Sequence, residues 1–298
     1  MALVTSSRAA GLDWRLTLAF IDTAGGEMER ARLRGLLGRA RPDPKAVLTL
    51  EARQNLDGGF PHDLIHQGQP STIRATATAL TWLEDLGLRG GPLVDHVLTF
   101  LLAVQRPDGS WDEPPGVLRY GPPTHLIPGD PRVRALSTAL AAYWLARMRY
   151  GGDAISRAVA YLRARQAPDG RFLGFLRTTW LGTALFRLVE GEDSACAGRG
   201  LEALSAVDAN RWHPGALAGM LACLAEVGVP ENQPLIARSL ARLRSLARLD
   251  GSWLSEDGDL SPVELTLRAL RALLLYGAVS PGPERDVAGP PAVPRGRP

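Results

Sequence analysis

QNLDGGF at residues 54–60, QRPDGSW at 105–111 and QAPDGRF at 166–172 are three copies of one phrase, Gln-x-x-Asp-Gly-x-aromatic. A fourth copy, ARLDGSW at 247–253, has exchanged only its Gln, for Ala247. An eroded fifth, at 205–212, keeps Asp208 and the closing Trp212. A phrase that recurs at intervals of tens of residues marks a repeat architecture. Each intact copy follows an amphipathic helical pattern and precedes a second apolar segment. Asp-Gly ends a helix, because glycine accepts the positive φ of a helix stop. The Gln falls in the last turn, where a side-chain amide can bond carbonyls left without helical partners. The aromatic ring offers a large apolar surface that locks the turn against its neighbour. The phrase therefore reads as the joint of a helix–turn–helix unit.

Outward from the phrase, hydrophobic periodicity predicts twelve helices, over residues 8–22, 26–40, 44–54, 71–88, 92–105, 131–150, 152–166, 175–190, 193–206, 213–228, 232–247 and 261–277. Two kinds alternate. Segment 231–248 carries Glu231, Arg238, Arg242, Arg244 and Arg248 opposite a stripe of Leu235, Ile236, Leu240, Leu243 and Leu246, the pattern of a surface helix with one buried face. Segment 213–228 carries one charge, Glu226, and is apolar nearly all round, as a helix buried on most sides must be. Segment 71–88 is mostly Ala, Thr and Leu, with its acids at the end. The alternation fits an outer ring of helices leading into each turn and an inner ring leaving it.

Tandem Q-x-x-D-G-x-W/F turns between helix pairs resemble those of the α/α-toroid superfamily: squalene and other terpene cyclases, protein prenyltransferase β-subunits and the thioester domains of complement-type proteins. The resemblance covers residues 45–277 and implies an all-α fold, a toroid of about six helical hairpins in one domain over residues 1–278. An open α-solenoid shares the same helix-pair grammar and is the alternative. Residues 279–298, with six Pro and three Gly, read as a disordered tail.

In a toroid the inner helices run parallel and gather their N-termini at one mouth, where dipoles and unpaired N–H groups favour anions. The connections into those helices hold four of the five histidines, all but His96. His62, Asp63 and His66 lie in the first, His125 in the second, and His213 and Glu264 at later helix starts; Arg74, Arg134 and Arg177 follow one turn into their helices. These nine are the candidate ligand-binding residues. Trp82, Trp144, Trp180 and Phe186 are the aromatic side chains that could face the hollow and stabilise a cation through the ring face.

The reaction centres that the resemblance implies are missing. Cyclases that begin by protonation carry an Asp-x-Asp-Asp run; Asp257 and Asp259 flanking Gly258 match it only in part, and Asp130 stands alone. These three are the candidate acids, with Asp130 before Pro131 also suited to capping a helix. The Asp-x-Cys pair of the zinc prenyltransferases is replaced by Asp193 and Cys196 at the wrong spacing, and the Gly-Cys-Gly-Glu-Gln thioester segment is absent. We expect no metal and no cofactor. The expectation for function is a terpene-cyclase-like toroid that binds an isoprenoid or similar apolar ligand, with cyclase chemistry left open; the alternative is a non-catalytic toroid that binds a protein or glycan.

Composition narrows the rest. Of 34 basic residues only Lys45 is a lysine, and the net charge is +3. The arginines are scattered among acids, so no stripe for a nucleic-acid backbone is expected. Cys196 and Cys223 sit in different predicted helices and read as free thiols. No run reaches the ~18 apolar residues of a membrane span, and residues 1–22 lack a signal-peptide pattern because Asp13 and Arg15 interrupt the apolar stretch. A cytoplasmic location is the expectation.

Overall fold

The computed structural model describes residues 12–38, 41–255, 258 and 260–278. Twelve α-helices follow in order: α1 (Trp14–Ala24), α2 (Glu27–Leu36), α3 (Pro44–Arg53), α4 (Ile73–Asp85), α5 (Pro92–Ala103), α6 (Pro131–Arg147), α7 (Gly152–Arg163), α8 (Leu176–Glu190), α9 (Ala195–Ser205), α10 (Pro214–Ala225), α11 (Pro234–Ser245) and α12 (Pro262–Leu275). From α2 to α12 each falls within a span expected from periodicity, most of them shortened at the ends, whereas α1 runs two residues past the expected end at 22. Side chains cap the starts: Asp43, Thr72, Asp130, Ser194, Gln233 and Ser261 each accept a first-turn N–H. Residues with positive φ stop the ends, as Gly87 does beyond α4 and Arg149 beyond α6. Residues 8–11 of the expected first helix, and the expected tail at 279–298, lie outside the described residues. No β-strand occurs among the described residues, which hold two isolated bridges, Pro61 with Ser71 and Gln166 with Phe172.

The even-numbered helices form the inner ring. In α6 every residue from Ala135 to Leu145 is buried, and α8 is buried without a break from Thr178 to Phe186. Outer helices bury one face: α7 hides Ala154, Ile155, Ala158, Val159, Tyr161 and Leu162 and exposes its charges. Around the ring α4, α6, α8, α10 and α12 pack in succession, and α2 touches α12 on one side and α4 on the other. The ring is closed, which excludes the open solenoid. Arg32 of α2, fully buried, ties the seam: it donates to Asp85 at the end of α4 and to Glu264 at the start of α12.

The four Asp-Gly turns share most of one set of bonds. The Asp carboxylate accepts the N–H two residues on, as in Asp57 to Gly59, Asp108 to Ser110, Asp169 to Arg171 and Asp250 to Ser252. The Gln amide donates to the carbonyl of its own turn's glycine and to the first turn of the next outer helix: Gln54 to Gly58 and Leu93, Gln105 to Gly109 and Ala154, Gln166 to Gly170 and Cys196. It thus joins neighbouring repeats, where the sequence suggested only the end of its own helix. In the fourth turn Thr17 of α1 takes the place of the lost Gln and donates to the Gly251 carbonyl. The aromatic backbone N–H donates to a threonine of the following inner helix in all four, Thr76, Thr138, Thr179 and Thr266. Phe60, Trp111, Phe172 and Trp253 are all buried.

Candidate functional site

The inner ring encloses a hollow of about 300 Å³. Residues near both the starts and the ends of the inner helices line it, and its two ends differ in chemistry. The mouth lies at their N-termini, with Arg74 of α4, Arg177 of α8, Arg268 of α12, His213 capping the start of α10, and His125 and Ser255 from connections. The waist is aromatic and apolar: Leu140, Tyr143 and Trp144 of α6, Trp180 and Leu181 of α8, and Ala218 and Gly219 of α10. Trp180 is backed by Trp212, the aromatic residue of the eroded fifth phrase, with ring centroids 6.1 Å apart. At the floor, Arg147 and Arg271 share Glu84 and Glu226, with N···O distances of 2.6 Å to Glu84 and 2.7 and 2.8 Å to Glu226. Four charges in a low-dielectric place persist only when each is paired in this way. The Arg147 guanidinium also lies over Trp144, 5.4 Å from the ring centroid.

Electrostatics set the mouth apart from the floor. Among the described residues no hydrogen bond or ion pair reaches the Arg177 guanidinium; its charged neighbours are other arginines. Burial, then the nearby Arg268 and Arg74, push Arg177 down to about 10. Glu264 behaves in the opposite way. Burial opposes its ionisation, but the Arg32 and Arg268 guanidiniums hold its carboxyl down to about 2. Cys223 lines the hollow as a thiol, pushed up to about 12 by burial. Among the described residues lining the hollow, Glu226 is the one carboxylate, and both floor arginines claim it.

The residues singled out from the sequence divide. Arg74, His125, Arg177 and His213 meet at the mouth. His62 sits nearby against Tyr120, its Nδ1 buried without a partner, and burial lowers its pKa ahead of the Arg74 charge. Asp63 and Glu264 instead line a second, wider cavity of about 970 Å³ between α2, α3 and the start of α12. His66 is exposed and bonds Asp63 at 2.6 Å; its imidazole and two backbone N–H groups hold the Asp63 carboxyl at about 2 against partial burial. Arg134 turns from the hollow to Asp112, 3.0 Å away. Asp130 accepts from Arg132 N–H at 2.8 Å and pairs with the Arg132 side chain, which holds its carboxyl below the usual range. Asp257 and Asp259 lie outside the described residues. Of the four aromatics, Trp144 and Trp180 face the hollow, Trp82 lines the second cavity, and Phe186 stacks on Phe172 between the two rings. Among the described residues no group of three or more His, Cys, Asp or Glu side chains is placed to hold a metal ion, and no helix is long and apolar enough to cross a membrane.

Sequence reasoning missed Arg147, Arg268 and Arg271. The signal was present: a lone charge on a helix otherwise apolar all round must find its counter-charge inside. Glu226 just after α10 and Glu84 and Asp85 at the end of α4 implied cations at the same level of the ring.

No protein-family model matches the chain, and no curated protein matches it. Solved structures do. Type II terpene cyclase MstE from Scytonema, in its apo form, superposes with a TM-score of 0.59 at 16% identity, over 89% of this chain and 97% of that one. A variant of that cyclase in complex with geranylgeranyl dihydroxybenzoate, its substrate, gives 0.57 at 14% identity, over 89% and 96%. A protein from Actinoplanes gives 0.56 at 19% identity, over 84% and 90%. A closed double ring of twelve helices, joined by the repeated turn and matched along nearly its whole length, makes this chain an α/α toroid with the fold of a type II terpene cyclase.

Proposed function

We propose that the chain binds a short isoprenoid, or a ligand like it, with the apolar part in the hollow and an anionic head at the mouth. The observation that carries the reading is the Arg177 guanidinium, partnered by no acid among the described residues and facing Arg74 and Arg268, above a waist of Tyr143, Trp144 and Trp180. A bound phosphate or carboxylate gives the Arg177 guanidinium a counter-charge, Glu264 already serving Arg268, and the inner-helix N-termini add to the attraction. The volume lies at the lower end of the ~300–1,000 Å³ usual for small-molecule sites, which favours a short chain. The prenylated ligand of the cyclase from Scytonema supports the reading by analogy of fold. Chemistry is a separate step. Cyclisation begun by protonation needs a protonated acid beside the chain; Asp130 caps α6 as a carboxylate, and Glu226 is held between two arginines. We therefore propose Asp257 and Asp259, which in sequence fall between the hollow-lining Ser255 and Leu260, as the acids to test.

The test is an equilibrium titration with geranyl, farnesyl and geranylgeranyl diphosphates, read by tryptophan fluorescence because Trp144 and Trp180 line the hollow. Saturable binding is expected for the short chains. Arg177→Ala removes a charge-assisted contact and weakens binding about 10- to 100-fold. Gly219→Leu fills the waist, since a Cβ there already stands 3.6 Å from Trp180, and abolishes binding in a folded protein. Absence of binding by any of the three overturns the reading. Cyclised products that vanish in Asp257→Asn or Asp259→Asn add catalysis to it.

A further inference from the structure

Five of the six inner helices begin with their backbone donors already engaged. Side chains accept N–H groups at those starts: Glu29 at α2, Thr72 and Glu113 at α4, Asp130 at α6, Thr178 at α8 and Ser261 at α12. The start of α10 differs. His213 stands before it, and its side chain accepts nothing from the first turn. Pro214 follows and has no N–H. Among the described residues the N–H groups of Gly215 and Ala216 therefore have no partner. Both residues line the hollow.

Arg177 stands across from them. One turn deeper in α8, Trp180 lies 3.6 Å from the point a Gly219 Cβ would occupy. Gly219 is itself one turn deeper in α10 than Gly215 and Ala216. The same two helix faces, one turn nearer the mouth, set Arg177 against the bare start of α10, and a long helical side chain leans towards its own N-terminus. Protein surrounds the Arg177 side chain, and the surface it keeps opens on the hollow. It is also the one guanidinium lining the hollow that no described carboxylate answers. Arg147 and Arg271 share Glu84 and Glu226, Arg268 has Glu264, and the Arg74 charge lies near enough to Glu113 to favour its carboxylate.

We propose that Arg177 and the bare start of α10 form a seat for a single carboxylate, so that the preferred ligand is an isoprenoid acid rather than a diphosphate. This rests on the isoprenoid reading above. One oxygen of a carboxylate meets the guanidinium while the other accepts the two N–H groups. Its one negative charge matches the one unanswered positive charge, to which the helix end adds a partial charge of the same sign. A diphosphate brings further charge that has no counterpart there, and charge without a partner in a closed site is unfavourable.

The experiment titrates the acid, the alcohol and the diphosphate of the geranyl and farnesyl chains at neutral pH, where the acid is ionised, with thermal midpoints to show that each variant is folded. Wild type is expected to bind the acid about 10- to 100-fold more tightly than the alcohol and about tenfold more tightly than the diphosphate. Arg177→Met is expected to bring the acid down to the level of the alcohol. His213→Asp places a carboxylate of the protein's own at the start of α10, where it caps the first turn and gives Arg177 its counter-charge. The acid is expected to lose its advantage in that variant too, with no fall in thermal midpoint, whereas His213→Ala, which adds no cap, retains most of it. Tighter binding of the diphosphate than of the acid by wild type, or an acid preference that survives His213→Asp in a folded protein, overturns the seat and leaves the isoprenoid reading standing. A wild type that binds none of the six ligands overturns both.

Discussion

At the scale of single residues, the repeated phrase is a division of labour in which each letter has one partner. Asp closes the turn, Gln fastens it to the next repeat, and the aromatic plugs the space between the rings. Trp111 does this most completely: it is fully buried, its backbone N–H donates to Thr138, and its Nε1 donates to the Leu101 carbonyl at 2.6 Å. Trp111→Ala is expected to cost about 3–5 kcal/mol in denaturant unfolding, by lost burial and the cavity left behind. Glu113 lies two residues further on. Its carboxylate accepts the Ile73 and Arg74 N–H groups at the start of α4, at 2.9 and 3.1 Å, a cap supplied from the next repeat that no local pattern announces. Burial pushes its pKa up to about 7, against those bonds and the Arg74 charge. A carboxyl raised in the folded state binds its proton more tightly there than when unfolded, so stability falls as pH rises from about 4.5 to 7. The contribution is at most about 3 kcal/mol, from 1.36 kcal/mol per pKa unit. Thermal midpoints of wild type and Glu113→Gln over pH 4–8 are expected to show that decline in the wild type and its loss in the variant.

At the scale of elements, the sequence was explicit about which helices exist and vague about which way their side chains turn. The inner helices announced themselves by missing charges, as in α10, and the turns by Asp-Gly. Orientation at the mouth was not legible. Arg74 and Arg177 are each the second residue of their helix, whereas Arg134 is the fourth. At about 100° per residue, two positions rotate a side chain by about 200°, so Arg134 turns to Asp112, away from the hollow, while the other two enter it. The turn glycines are a second case. Gly170 has φ of 85°, and a Cβ there would stand 2.1 Å from the Arg199 carbonyl of α9. Positive φ is visible in the Asp-Gly phrase; contact with the next outer helix is not, because it joins residues 29 apart (199 − 170). Gly170→Ala is expected to lose about 2 kcal/mol or more, from left-handed strain and the clash together. Gly152→Ala, at the first position of α7 with nothing within 4 Å, is expected to be near neutral under the same chemical denaturation.

At the scale of the whole molecule, closure is the property that repeats alone cannot express. Copies of a phrase say that neighbours stack; they do not say that the last meets the first. The information sits in residues outside the phrase: Thr17, which supplies to Gly251 the bond that Gln supplies in the other three turns, and Arg32, which grips both sides of the seam. Arg32 has no exposed surface, donates to Asp85 at 3.1 and 2.9 Å and lies over Trp82, 5.0 Å from the ring centroid. Arg32→Met keeps most of the volume and removes the charge. Asp85 retains Arg271 and Glu264 retains Arg268, so the ring is expected to survive with about 3–5 kcal/mol less stability. Hydrogen exchange tells a seam from a loose end. In a chain whose first hairpin merely caps an open stack, loss of Arg32 would release α1 and α2 and leave α12 protected. In a closed ring the loss is two-sided: amides of α2, of the end of α4 and of the start of α12 exchange faster together, while α7 to α9, across the ring, keep their protection. Faster exchange confined to α1 and α2 would mean that the contacts of α12 with α2 do not bear the closure.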